Sequence, residues 1–208
     1  MANLGKAKGG GGSVILTDRE IQIYIERKLI TIDPEPDKDK AYQSSAVDLT
    51  LDPIISVFKE PGTLVPGVQR FTQINPNDPE FKAEIALKAL TTNVDIESEG
   101  KGFPLVKGEL ILGWTREYLD LKESRLAARV EGKSSLARFG LTIHLTAPTI
   151  HAGYQGRIRL EIVNHGKFPI LLRSGMRICQ LILEQTFGTP EKGYGGQFKG
   201  QMPETPTA

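Results

Sequence analysis

Residues 149–166 read TIHAGYQGRIRLEIVNHG, and the middle of that stretch decides the fold class. Ile158, Leu160 and Ile162 alternate with Arg157, Arg159 and Glu161, the period of two that a strand gives when only one face is buried. Gly153 and Gly156 bound the run on one side, and the turn at His165–Gly166 ends it on the other. Further strand-like runs are SAVDLTL (45–51), GELILGWT (108–115), RLAARVE (125–131), LTIHLTA (141–147), FPILL (168–172) and RICQLILE (177–184). Short strands at close spacing, separated by Gly, Pro and polar clusters, predict an all-β sandwich or barrel.

Outward from this core the pattern changes. Residues 1–13, MANLGKAKGGGGS, hold nothing to bury and read as a flexible tail. In LTDREIQIYIERKL, Thr17 and Glu20 have capping-box spacing, Leu16 can staple onto Ile21, and Ile21, Tyr24, Ile25 and Leu29 follow helical spacing. A short N-terminal helix is expected there. Residues 14–188 then form one β domain, interrupted by an irregular excursion at about 61–104 that carries a short helical pattern in EFKAEIALKALT. From Thr189 to the last residue the chain is rich in Gly and Pro, a mobile C-terminal tail and a candidate lid over an active site.

The totals exclude several classes. A formal net charge of +1 over 208 residues argues against a polybasic surface for nucleic acid or membranes. Cys179 is the single cysteine, so no disulfide framework and no Cys-rich zinc cluster is expected. No apolar run approaches the roughly 18 residues of a membrane helix, and the simplest setting is cytoplasmic.

Two stretches could carry chemistry. In EGKSSLARFG, Gly132 lets a ligand approach the backbone, while Lys133, Ser134, Ser135 and Arg138 supply cations and hydroxyls suited to a polyphosphate. A polar turn with Arg138 in a surface salt bridge fits the same residues. On the β-strand face, periodicity alone makes Glu161 a solvated charge paired with Arg159. Were that face to line a cleft, the carboxylate could take a proton from water and deliver it to a leaving group. His144 reads as a packed or surface residue and His165 as an exposed turn residue. With three histidines, one cysteine and neither H-x-E nor P-C-x-x-C, the chain offers no ligand set for zinc-based deamination.

SAVDLTL, EGKSSLARFGL, TAPTIHAGYQGRIRLEIVNHGKFPILLRSGMRICQL and the terminal YGGQFKGQ together resemble the dCTP deaminase family of the dUTPase-like superfamily, in order from about Leu16 to Gln201. The resemblance implies a distorted β-barrel or jelly-roll-like subunit, assembled as a homotrimer with active sites between subunits. It implies conversion of dCTP to dUTP and ammonia with Mg²⁺ carried by the triphosphate and no zinc, and dTTP as an inhibitor. The family's phosphate-binding run matches Gly132 to Arg138, through Lys133, Ser134, Ser135, Leu136 and Ala137, with Lys133 in place of an arginine. That exchange keeps the charge and loses the bidentate fork. Ser134 and Arg138 would orient the water and the base edge, Ala147 would hold the water through its carbonyl, and Glu161 would carry the proton. Arg159 and Leu160 would flank the base through backbone groups, and Tyr154 belongs to the family's Gly-aromatic-x-Gly turn. Tyr194 and Gln201 match the closing tail.

The main departure is His151, where the family has an aspartate that borders the deoxyribose and, in the hydrolases, helps prepare the attacking water. An imidazole can donate or accept but supplies no fixed negative charge. Deamination to dUTP is therefore expected ahead of a bifunctional route to dUMP and pyrophosphate. A catalytically silent nucleotide-binding relative is the third reading.

Overall fold

The computed structural model describes residues 14–60, 74–98, 100–121, 125–188, 191 and 200–204. In chain order the elements are β1 (Val14–Ile15), α1 (Asp18–Glu26), β2 (Thr31–Asp33), β3 (Tyr42–Gln43), β4 (Ala46–Thr50), β5 (Ile54–Phe58) and α2 (Ala83–Leu90). They continue with β6 (Thr91–Asp95), β7 (Phe103–Leu105), β8 (Leu110–Asp120), β9 (Leu126–Gly132), α3 (Ser134–Ala137) and β10 (Leu141–Thr142). The last are β11 (Thr149–Ile150), β12 (Gln155–Asn164), β13 (Ile170–Leu172) and β14 (Arg177–Gln185).

The strands form two antiparallel sheets. One runs β11-β9-β14-β4-β3 with β1 added to β14; the other runs β10-β12-β8-β5-β6 with β2 added to β8. A separate ribbon pairs β13 with β7. Between the sheets lies one core, in which Val47, Leu49, Ile111, Ile158, Leu160, Ile162, Leu181 and Leu183 meet. The mainly β expectation holds, but the barrel does not close: among the described residues the two sheets are joined by a single bridge, Leu51 to Thr115. No helix among these residues is long and apolar enough to cross a membrane.

Local chemistry explains most elements. α1 buries Ile21 completely, with Leu16 beside the same core, as the staple spacing predicts. The capping box itself differs, because the Thr17 hydroxyl donates to the Glu20 carboxylate and makes no side-chain bond to a backbone N–H. The alternating run 141–147 pairs only at Leu141–Thr142. There the chain leaves the second sheet for the first, where Val130 N–H donates to the Pro148 carbonyl at 2.9 Å. Part of the irregular excursion is also sheet: β6 pairs with β5 along its whole length, and β7 pairs with β13. Residues 61–73 lie outside the described residues.

A bulge positions the site. Arg157 stands opposite Tyr118, but Arg159 stands opposite Trp114, so β8 spends extra residues at Thr115–Glu117. Thr115 fills the gap by accepting from Ile158 N–H at 3.0 Å and donating to the Glu117 carbonyl at 2.9 Å.

Candidate active site

Glu161 lies on the face of β12 that turns away from the core, in line with Arg159 and Arg157. Its cross-strand partner is Leu112, and Ser56 of β5 stands opposite Leu112 in turn. The face is not a solvated one. Trp114 and Leu112 are both 5% exposed although neither belongs to the main core cluster, because the Arg159 guanidinium covers the Trp114 ring at 4.3 Å from its centroid. Arg159 also donates through Nη2 to Ser56 Oγ at 2.8 Å. Burial lowers its pKa to about 10, while the carboxylates of Glu161 and Glu204 pull in the opposite direction. Arg157 is committed elsewhere: Nη1 reaches Asp52 Oδ2 at 2.6 Å, and Asp52 is buried. The surface pair expected between Arg159 and Glu161 is replaced by these inward contacts.

The end of the chain adds to the same face. Gly200 N–H donates to the Gln155 carbonyl at 2.7 Å, and Arg157 N–H donates to the Gln201 carbonyl at 3.1 Å, so this segment lines the free edge of β12. Gly156 permits the approach: its φ is +147°, and a Cβ there would stand 3.2 Å from backbone atoms of Gln201. Tyr154 is buried, its hydroxyl donating to the Arg157 carbonyl at 2.7 Å, with Gln201 Nε2 at 3.4 Å from the same oxygen. Residues 201–204 then cross to β6, where Asn93 Nδ2 donates to the Glu204 carbonyl at 3.0 Å and Lys88 Nζ pairs with its carboxylate at 2.7 Å. Gln201 thus reaches the turn that carries Tyr154. Tyr194 lies outside the described residues.

The second cluster is built differently. α3 is a single turn between the two sheets, and Ser134, Ser135, Ala137 and Arg138 are exposed while Leu136 is half-buried. Its exit packs against the turn that ends β12, with His165 N–H donating to the Gly140 carbonyl at 2.8 Å. Lys133, expected to contact phosphate, is turned inward: Nζ stands 2.5 Å from Oδ2 of Asp48, a residue 1% exposed. Arg177 Nη1 and Gln180 Nε2 approach the same carboxylate at 3.4 and 3.2 Å. A buried carboxylate needs such partners, so the ammonium anchors the start of α3 from within.

Glu161, Arg159, Leu160, Tyr154 and Gln201 therefore gather along one strand and its edge. Ser134, Ser135 and Arg138 occupy another corner, and among the described residues no hydrogen bond or ion pair joins them to Glu161. Ala147 and His151 are exposed on either side of β11, the His151 carbonyl accepting from Tyr154 N–H at 3.2 Å. His144 is half-buried with Nε2 3.5 Å from Glu131 Oε2. Sequence reading missed Trp114, Ser56, Asn93 and Asp48. Their contacts depend on strand register, and the only prior signal was that the chain's one tryptophan sits in an alternating run.

No cage for a resident metal is formed by His, Cys, Asp or Glu among the described residues.

A family model described as dCTP deaminase-like matches residues 15–186. A protein of Methanothermobacter thermautotrophicus named "dCTP deaminase, dUMP-forming" is 41% identical over 181 residues, covering 87% of this chain and 84% of that protein. One of the same name from Mycolicibacterium smegmatis is 37% identical over 199 residues, covering 93% of this chain and 95% of the other. Among solved structures, a 2'-deoxycytidine 5'-triphosphate deaminase from Agrobacterium tumefaciens superposes with a TM-score of 0.62 at 23% identity, over 84% of this chain and 49% of that one, a likeness of fold. With the match running through nearly every strand of both sheets, this chain belongs to the dCTP deaminase-like family.

Proposed function

We propose that this chain deaminates dCTP and carries the product through to dUMP, the product named for its relatives. This revises the expectation of dUTP as the end product. The observation that carries the deaminase reading is the placement of Glu161: a carboxylate on the non-core face of β12, beside the half-buried Arg159 and on the strand whose free edge the C-terminal segment lines.

The chemistry follows from those groups. A water bound beside Glu161 gives its proton to the carboxylate as its oxygen attacks C4 of the cytosine ring. The protonated carboxyl then returns that proton to the amino group, the C4–N bond breaks, and ammonia leaves. Going on to dUMP requires a second water to attack the α-phosphorus while the α–β phosphoanhydride bond breaks and pyrophosphate departs. His151, exposed at the turn after β11, would stand where the hydrolases of the family have the aspartate that prepares this water, and a ring nitrogen would take the water's proton. Magnesium enters this reading as an ion carried by the triphosphate, where it would neutralise phosphate charge; Ser134, Ser135 and Arg138 would face the oxygens it leaves open. Three copies would complete the site, with α3 of one copy facing Glu161 of the next, and dTTP would compete for it.

The test is incubation with dCTP and Mg²⁺, followed by chromatography of the nucleotides and an ammonia assay. The proposal expects ammonia and dUMP in equal amounts, and a loss of roughly 10²–10⁴-fold in Glu161→Gln with nucleotide binding retained. Undiminished turnover in that variant would sink the role of Glu161. One observation favours a second reading: His151 supplies no fixed negative charge where the family has aspartate, and accumulation of dUTP with ammonia would decide for release at that stage.

A further inference from the structure

On the Glu161 face, the two arginines are used differently. Arg157 is neutralised by Asp52 at 2.6 Å. Arg159 enters no ion pair among the described residues, although the Nε of both arginines is buried without a hydrogen-bond partner. Desolvating a guanidinium is costly, several kcal/mol in order of magnitude unless it is compensated. An aromatic face and one hydroxyl compensate it only in part, and a methionine would stack on Trp114 as well. The charge is therefore an expense that packing alone does not explain.

Its surroundings supply a use. Successive same-face residues of a strand lie about 7 Å apart, so Glu161 is the neighbouring carboxylate on that face. On its other side Arg159 begins a hydrogen-bond chain across the sheet. Nη2 donates to Ser56 Oγ at 2.8 Å, Ser56 donates to Asn93 Oδ1 at 2.8 Å, and Asn93 Nδ2 donates to the Glu204 carbonyl at 3.0 Å. The segment that ends this chain is the one that lines β12 at Gln155–Arg157. It is thus tied to the face at both ends, and Arg159 lies between the ties.

We propose that Arg159 is a positioning residue for Glu161, locked by Trp114 and Ser56 and linked through Asn93 to the C-terminal segment, so that docking of that segment and alignment of the carboxylate are one event. The inference rests on the deaminase reading for its catalytic half and on geometry alone for its link to the segment. When the segment is down, the chain through Ser56 and Asn93 is complete and holds the Arg159 guanidinium in one arrangement beside Glu161. When it lifts, Asn93 and Ser56 lose the last link of the chain and the guanidinium gains rotamer freedom.

The experiment uses the full chain and four variants, Arg159→Met, Arg159→Lys, Ser56→Ala and Asn93→Ala, with two readouts. Steady-state ammonia release from dCTP with Mg²⁺ gives kcat and KM, and hydrogen exchange reports the amides of Gly200 and Arg157. Misplacing a catalytic group predicts that Arg159→Met loses roughly 30-fold or more in kcat with KM within about 3-fold, and that Arg159→Lys recovers a good part of the loss. Exchange at the two amides bonded in this docking, Gly200 N–H and Arg157 N–H, should accelerate by about 10-fold in Arg159→Met and Asn93→Ala, reflecting local opening. A kcat for Arg159→Met within about 3-fold of the parent overturns the positioning role. Unchanged exchange in both of those variants overturns the link. Should Arg159→Met fail to fold, Ser56→Ala removes one hydroxyl and must show both effects in weaker form, or the proposal falls. If the parent chain itself releases no ammonia, the deaminase reading fails alone, and exchange still judges the link.

Discussion

Glu161 and Arg138 are both candidate site residues in the sequence, the first read from its strand as a solvated charge, and their surroundings differ. Around Glu161 the chain has already done the ordering. A bulge in β8 brings Trp114 opposite Arg159, Ser56 and Asn93 extend the contact across the sheet, and the C-terminal segment is bonded along the strand edge. Around Arg138 and Ser134 the turn is held at its base by Lys133 against the buried Asp48 and at its exit by His165 N–H on the Gly140 carbonyl, while the polar side chains face outward. The difference teaches where this subunit is self-sufficient. It orders the face of the proposed proton carrier, Glu161, within one chain and leaves the hydroxyls and guanidinium of α3 facing outward, where the proposed trimer would bring the Glu161 face of the next copy.

The largest expected effect breaks or upholds that division directly. Glu161→Gln and Arg138→Ala chains, each inactive alone, should regain activity when unfolded together and reassembled. Random mixing in a cyclic trimer leaves about one quarter of the sites with both native halves. No recovery of ammonia release would mean that both clusters act within one chain.

Next in size is the anchor beneath α3. Asp48→Ala leaves Lys133, Arg177 and Gln180 facing a buried void, and should cost about 3–5 kcal/mol, the usual penalty for breaking a buried pair. Thermal or urea unfolding measures it. A change below about 1 kcal/mol would mean that the start of α3 is held by other contacts.

Glu117 gives a smaller, pH-dependent effect. It ties β8 to β4 by accepting from Thr50 N–H at 2.9 Å and Thr50 Oγ1 at 2.6 Å, and burial pushes its carboxyl above the ordinary value while those donors pull it down. Over the window between the ordinary and the raised value, the folded chain keeps a proton that the unfolded chain has lost. Stability from this group is therefore lost as pH rises through that window. Glu117→Gln should flatten that part of a stability profile measured from acid to neutral pH; an unaltered slope assigns it to other groups. Smallest is Lys88→Ala, which removes an exposed ion pair to Glu204 and should leave the thermal unfolding midpoint essentially where it is; a clear drop would mean that the pair holds more than a solvated surface contact does.

Much of the fold was legible because hydrophobic alternation is a local signal. Seven alternating or apolar runs each contain a strand, and α1 lies where Leu16 and Ile21 indicated. What went unread was set by pairing. β5 and β6 are short and mixed in character, and acquire strand form by hydrogen-bonding to each other and to β8. LTIHLTA alternates through His144, but the chain uses its second half to change sheets.

The same boundary runs through the site. Period-two alternation by itself put Glu161 opposite the apolar residues, because successive side chains of a strand must point to opposite faces. The order of motifs along the chain was enough to indicate the family. Register, however, is a property of two strands, and only the tertiary structure could bring Trp114 and Ser56 to Arg159, or spend Lys133 on Asp48. Glu161, drawn as solvated from its own strand, is half-buried, on a face where residues distant in sequence pack around Arg159.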